Sequence, residues 1–239
     1  MTTTEFSNNF EVLWNSYITK NPFGDTTSLQ KPSIDEYEKS VLLTQAQYSV
    51  LNQYLYAQEN NDNALMQLDL STLITVAKPT ISTSLNIIKY DSSSLTYIMP
   101  NDVLYVLNEK IKDTNNKEYI IKPINYKEYD RLLLLPFSAP NKKQAWRLFQ
   151  YNNLVNVVSE LIPIKGITVS EYIIRYIKKP VPIILVDLSV QNLTIEGRNT
   201  ISECQLPAIL HYEILYKAIE LAGVRVGITP QSNNKKTEE

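Results

Sequence analysis

One thiol and one imidazole, Cys204 and His211, make up the whole of the chain's supply of those two groups. A cysteine hydrolase would pair them, the imidazole drawing the proton from the thiol. Cys204 follows Glu203 and stands just ahead of a predicted helix, whose N-terminus would lower its pKa and sharpen its reactivity. His211 falls inside that helix, between Leu210 and Tyr212. Glu213 lies two residues on, and positions i and i+2 do not face each other on a helix. No third group therefore orients the imidazole, and a packed thiol with a structural histidine is the simpler reading. A zinc site needs about four N, S or O ligands, drawn mostly from Cys and His, and this inventory does not fill one. No catalytic residue, metal or cofactor is expected.

The charged side chains offer other chemistries. Asp35, Glu36 and Glu38 suggest the paired acids of glycoside cleavage, yet all three fall in the first turn of a predicted helix, where the macrodipole favours acids. Lys142, Lys143 and Arg147 have Gln144 and Trp146 between them, the cation-and-aromatic pattern of a nucleic-acid surface. Solvated loop charge is the plainer account. Arg175, Lys178 and Lys179 interleave with Tyr172 and Tyr176 in a similar way. Asn192-Leu193-Thr194 is a glycosylation sequon, which has meaning only in a secreted chain.

The elements that must carry these residues follow from hydrophobic period. Phe6, Phe10, Leu13, Trp14, Tyr17 and Ile18 form one stripe of a helix over about 5–20. "NPFGDTTSLQKP" then reads as a loop. Ser33 and Glu36 have capping-box spacing, and Ile34, Tyr37, Val41, Thr44, Tyr48, Leu51 and Leu55 alternate by three and four, a helical seam. Two readings stand: a helix packed on its own domain, or a seam for a neighbouring subunit at Tyr37, Val41, Tyr48, Leu51 and Leu55. "AQENNDNALMQLD" reads as a connection.

From about residue 70 the period changes. "STLITVAKP", "TSLNIIKY", "LTYIMP", "DVLYVLNEKI", "KEYIIKPI", "AWRLFQY", "NLVNVVSELI" and "TVSEYIIRYIKKPVPIILVDL" read as short antiparallel strands. Asn115-Asn116 suits a hairpin turn, and Pro180 and Pro182 mark the last run as an edge or bent strand. A short helix is expected after Asn125, and a C-terminal helix over 206–223, with Pro207 at its first turn and Gly223 at its end. The fold class is α+β, with helices, a long N-terminal one and a C-terminal one included, packed on an antiparallel sheet or sandwich. Three regions are expected: a helix-and-loop arm over 1–32, a single α+β domain over 33–223, and a polar, disordered tail over 224–239.

The totals narrow the function without giving it. At 239 residues the chain has room for a sizeable core. A formal charge of −2 gives no global pull toward DNA or anionic lipid. Five glycines stand where average usage gives roughly 17, and neither G-x-G-x-x-G nor G-x-x-x-x-G-K occurs, which argues against nucleotide chemistry. The first twenty residues lack a basic n-region and an apolar h-region, so no secretory leader is expected; no apolar run nears the ~20 residues that span a bilayer, and a soluble protein of a reducing compartment is expected.

Several segments taken together resemble a virion structural family of crAss-like and related podovirus-type phages of gut Bacteroidales. They are "DEYEKSVLLTQAQYSVL" (35–51), "LPFSAPNKKQAWRL" (135–148), "EYIIRYIKKPVPIILVDL" (171–188) and "LTIEGRNTISECQLPAILHYEILYKAIELA" (193–222). The resemblance implies a non-enzymatic neck, or head-to-tail connector, protein: a homo-oligomeric ring, twelve-fold like the portal, stacked between portal and tail. It further implies partners in the portal and other neck and tail proteins. DNA would pass through the lumen without sequence specificity, no membrane would be involved, and the product would reside in the virion after synthesis in the host bacterial cytoplasm. Lys142, Lys143 and Arg147 would face lumen or partner. The family pattern also leads to a longer helical run where "LAGVRVGITP" has two glycines. The alternative is a virion DNA-binding or ejected cargo protein.

Overall fold

Four α-helices and an eight-stranded sheet are present among the described residues of the computed structural model, which are 1–20, 33–56, 70–81, 89, 91, 93–135, 140, 144–152 and 156–227. The helices are α1 (Thr3–Lys20), α2 (Glu36–Tyr56), α3 (Tyr126–Leu133) and α4 (His211–Val226). The strands are β1 (Ile74–Ala77), β2 (Thr80–Ile81), β3 (Leu95–Ile98), β4 (Val103–Asp113), β5 (Glu118–Pro123), β6 (Gln144–Asn152), β7 (Asn156–Ile162) and β8 (Val169–Lys178). An α+β fold results. The expected loops 21–32 and 57–69, most of "TSLNIIKY", and the tail from 228 lie outside the described residues.

The chain forms two compact units, one from Met1–Thr72 with Pro180–Glu239 and one from Leu73–Lys179. Helix α1 buries Phe6, Phe10, Trp14 and Ile18 and packs on α4 and α2. In α4, Gly223 sits where an added Cβ would meet the Tyr17 ring at 2.7 Å. Gly223 therefore does not end its helix. It lets α1 approach, and Gly227, at φ +84°, is the left-handed terminator.

Helix α2 is capped by Asp35, whose carboxylate accepts from the Glu38 N–H at 2.7 Å, in place of the expected Ser33–Glu36 box. Glu36 is used elsewhere: with Glu11 it holds the buried Lys39 ammonium at 2.8 and 2.6 Å, tying α1 to α2. Burial alone would lower the Lys39 pKa, but these two carboxylates outweigh it and hold the value above the usual one.

The run "PVPIILVD" is not a ladder strand. It is extended beside α2, with one isolated bridge between Ile184 and Ser202. Side chains of α2 satisfy its backbone. Gln47 donates to the Val181 carbonyl at 3.0 Å, Thr44 accepts from the Ile183 N–H at 3.1 Å, and Ser40 accepts from the Leu185 N–H at 3.0 Å. Every second residue of an extended chain advances about 6.6 Å, and one i,i+4 step of a helix advances about 6 Å. The two repeats match closely enough for a polar helix face to stand in for a neighbouring strand.

The sheet runs in the order β1-β8-β4-β5-β6-β7-β3-β2. All pairs are antiparallel except β5 with β6, so the sheet is mixed where an antiparallel one was expected. The hairpin turn reads as anticipated: Asn116 has φ +60°, and the Asp113 carboxylate accepts from the N–H groups of Asn115 and Lys117. Strands β3 and β8 are five spacings apart in this order, about 24 Å in a flat sheet. Yet the rings of Tyr97 on β3 and Tyr172 on β8 are only 4.9 Å apart. The sheet is therefore strongly coiled, and register shifts between β4 and β8 supply the local twist. Its inside buries Tyr97, Ile111, Tyr119, Leu161, Tyr172 and Ile174. On the other side of β6, the short helix α3 packs Tyr129 edge-on to Trp146, with Asn125 capping it by accepting from the Glu128 N–H.

Candidate interaction surfaces

The residues best placed by type for catalysis are absorbed by folding. Cys204 is half-buried with its thiol 3.4 Å from the Gln47 Oε1, and burial pushes its pKa up to about 11, the opposite of the activation expected from a helix N-terminus. His211 is buried, its Nε2 2.9 Å from the Leu206 carbonyl and its ring against Phe6. Burial lowers its pKa, with the N-terminal ammonium acting in the same direction. Among the described residues no group of three or more His, Cys, Asp or Glu side chains is placed to hold a metal ion. No helix among them is long and apolar enough to cross a membrane.

Arg147, expected to face lumen or partner, is buried. Its Nε donates to Glu109 at 2.9 Å, its guanidinium carbon lies 3.4 Å from the Phe149 ring centroid, and Tyr172 donates to the other Glu109 oxygen at 3.1 Å. Burial raises the Glu109 pKa while Arg147 opposes that rise. The position alternates on β6 with Trp146, so an inward arginine was set by strand parity and the Glu109 partner. Lys142 and Lys143 lie outside the described residues.

The α2 seam also turns inward. Leu51 is fully buried, and Tyr37 and Val41 pack on Ile184, Leu188 and Ile195. The Tyr48 hydroxyl donates to Glu196 at 2.9 Å, and Leu55 is half-buried. Of the two readings, packing on its own unit describes these contacts.

What folding leaves outside is apolar surface on other elements. On α4, buried Ile214, Leu215, Ala218, Ile219 and Ala222 alternate with exposed Tyr212, Tyr216 and Val224, and Ile209 precedes them in the same line. Tyr212 and Tyr216 are one i,i+4 step apart on one helical face, and the next step along that face is Glu220, paired with Lys217, before Val224. This second surface was legible as Tyr212, Tyr216 and Val224 beside the core face, but periodicity alone assigns only one face to the core. In the other unit, Leu133, Leu134 and Leu135 project at the end of α3, 58%, 84% and 49% exposed. The run "LLLL" reads by default as buried, and only Tyr129 and Leu132 of that segment turn to the sheet. A third surface is a groove across β1, β8 and β4, lined by Val76, Lys78, Asn108, Lys110, Ile173 and Arg175. Chemically these are apolar patches edged by charge.

Comparison with known proteins gives the context for such surfaces. Residues 1–236 match the family described as phage tail ring protein 3/4. The chain is 39% identical over 230 residues to "Ring protein 4/5" of Bacteroides phage crAss001, covering 93% of this chain and 92% of that one. It is 30% identical over 234 residues to "Ring protein 3" of the same phage, covering 93% and 95%.

Proposed function

This chain belongs to the phage tail ring protein 3/4 family, and on that premise we propose that it is a non-enzymatic virion structural protein forming a homo-oligomeric ring in the neck. The ring is stacked between portal and tail, with portal and other neck and tail proteins as partners and a lumen that passes DNA. The carrying observation is the exposed pair Tyr212 and Tyr216, with Ile209 just ahead of the helix and Val224 further along it, on a helix whose other side is a core face. A folded chain that spends its buried polar groups internally and leaves aromatics outside is arranged for protein contact. Twelve copies would match the portal. A net charge near neutral lets DNA slide past without strong phosphate attraction. The DNA-binding or cargo alternative loses one of its three cations, because Arg147 is committed to Glu109.

The test is negative-stain microscopy of the full-length chain, alone at rising concentration and mixed with portal protein. Closed rings, or rings seated on portal, are the expected outcome. A chain that stays monomeric in both conditions, or that is missing from purified virions, would overturn the proposal.

A further inference from the structure

We propose that residues 74–81 are a strap that fastens the two edges of the sheet to each other within one copy, so that copies of this chain join through side-chain surfaces and exchange no strand. The closure is independent of the ring reading above, and its consequence for assembly rests on that reading.

The strand order ends in β1 on one side and in β2 on the other. These outermost strands are consecutive in the chain, with only Lys78 and Pro79 between Ala77 and Thr80. Eight strands leave seven spacings between the two ends, about 34 Å in a flat sheet. The three residue steps from Ala77 to Thr80 span at most about 11 Å. The sheet must therefore curl until its edges adjoin. Strand direction agrees. From β1 round to β2 there are six antiparallel pairings and one parallel one, so both run the same way, as one continuous strand requires. Tyr97 and Tyr172, from the strands next to the two ends, meet ring to ring at 4.9 Å.

The change of edge falls at Pro79. Strand β1 follows β8 from Ile74 opposite Ile177 to Ala77 opposite Ile174. Continuing that register would set Pro79 against Tyr172, and a proline has no N–H to give to a ladder. The strap instead crosses to β3, with Thr80 opposite Ile98 and Ile81 opposite Tyr97. Pro79 is buried, and Ala77 packs on the interior cluster. Lys78, on the alternate face, is paired with Glu171 and ties the strap to β8 just past the last backbone pair.

Open sheet edges invite pairing with another chain, and closure into a barrel removes them. What the strap leaves unpaired among the described residues is the outer side of a four-residue and a two-residue stretch. A barrel of about eight strands has an interior that side chains just fill. Here Ile111, Tyr119, Leu161 and Ile174 fill it, together with the buried Arg147–Glu109 pair. Such a barrel is complete in one copy and needs no strand from the next.

The test uses the full chain in a Cys204→Ser background. One variant carries Val76→Cys and Arg175→Cys, opposite each other on β1 and β8, and a second carries Thr80→Cys and Ile98→Cys, opposite each other on β2 and β3. Oxidised after assembly, both should close their disulfide inside one chain, run as monomers on a non-reducing gel and keep the parent's ring yield. Covalent multimers would mean a strap donated by a neighbour and overturn the proposal. Hydrogen exchange of the unassembled chain decides the case without any disulfide. The peptide covering 74–81 should exchange about tenfold or more slower than in the denatured chain, with little change on assembly. Exchange at the denatured rate, slowed only in the assembled state, overturns closure within one copy. A chain that never forms rings yet keeps this protection removes the ring reading and leaves the strap standing.

Discussion

Helices α2 and α4 make an instructive pair. Both show a regular apolar repeat, and in sequence α2 has the cleaner one, which makes it the natural candidate for a subunit seam. In the structure α2 is covered, by α4 on one side and by the 180–188 segment on another. It is α4 that keeps a line of large side chains outside. A helix displays its apolar period whether the covering element comes from its own chain or from another. What separates the two cases is the polar residues between the apolar ones. On α2 these are Ser40, Thr44 and Gln47, buried and bonded to backbone of distant sequence.

The comparison can be broken most severely at Leu51, which is fully buried. Leu51→Ala should cost about 2–5 kcal/mol of unfolding free energy in a denaturant titration, through lost burial and the cavity left behind. An effect under about 0.5 kcal/mol would mean that α2 is covered only after assembly. Thr44→Val keeps the volume but strips the Ile183 N–H of its acceptor. The expected cost is about 1–3 kcal/mol, the penalty for an unsatisfied buried donor, with faster exchange of the Ile183 amide as the local readout. The smallest effect on folding is expected at Tyr216, where Tyr216→Ser should change monomer stability by no more than about 0.5 kcal/mol. The same variant should reduce ring yield by microscopy. Unchanged rings would shift the assembly surface away from α4.

The pattern of success in reading the sequence follows the range of the interactions. Local signals held: the α1 stripe, the Asn115-Asn116 turn and the Asn125 cap depend on neighbours within a few residues. The reading weakened where a distant partner decided the outcome. Asp35 took the cap because Glu36 was drawn to Lys39. Gly223 sits inside its helix, where the Tyr17 ring of α1 leaves no room for a Cβ. The parallel pairing of β5 with β6 leaves no periodic mark, since each strand's alternation is the same in either direction.

The same division applies to the surfaces. Sequence alone determined that this chain has helices with apolar faces, a β-rich middle, one cysteine and one histidine, and segments resembling a ring-forming phage family. Only tertiary structure decided which apolar faces are used up. It drew Arg147 inward to Glu109, pressed the α2 seam against 180–188, and left Tyr212, Tyr216 and Leu134 outside. The physical reason is that burial depends on area shared between two elements, and period along one element records only its own half.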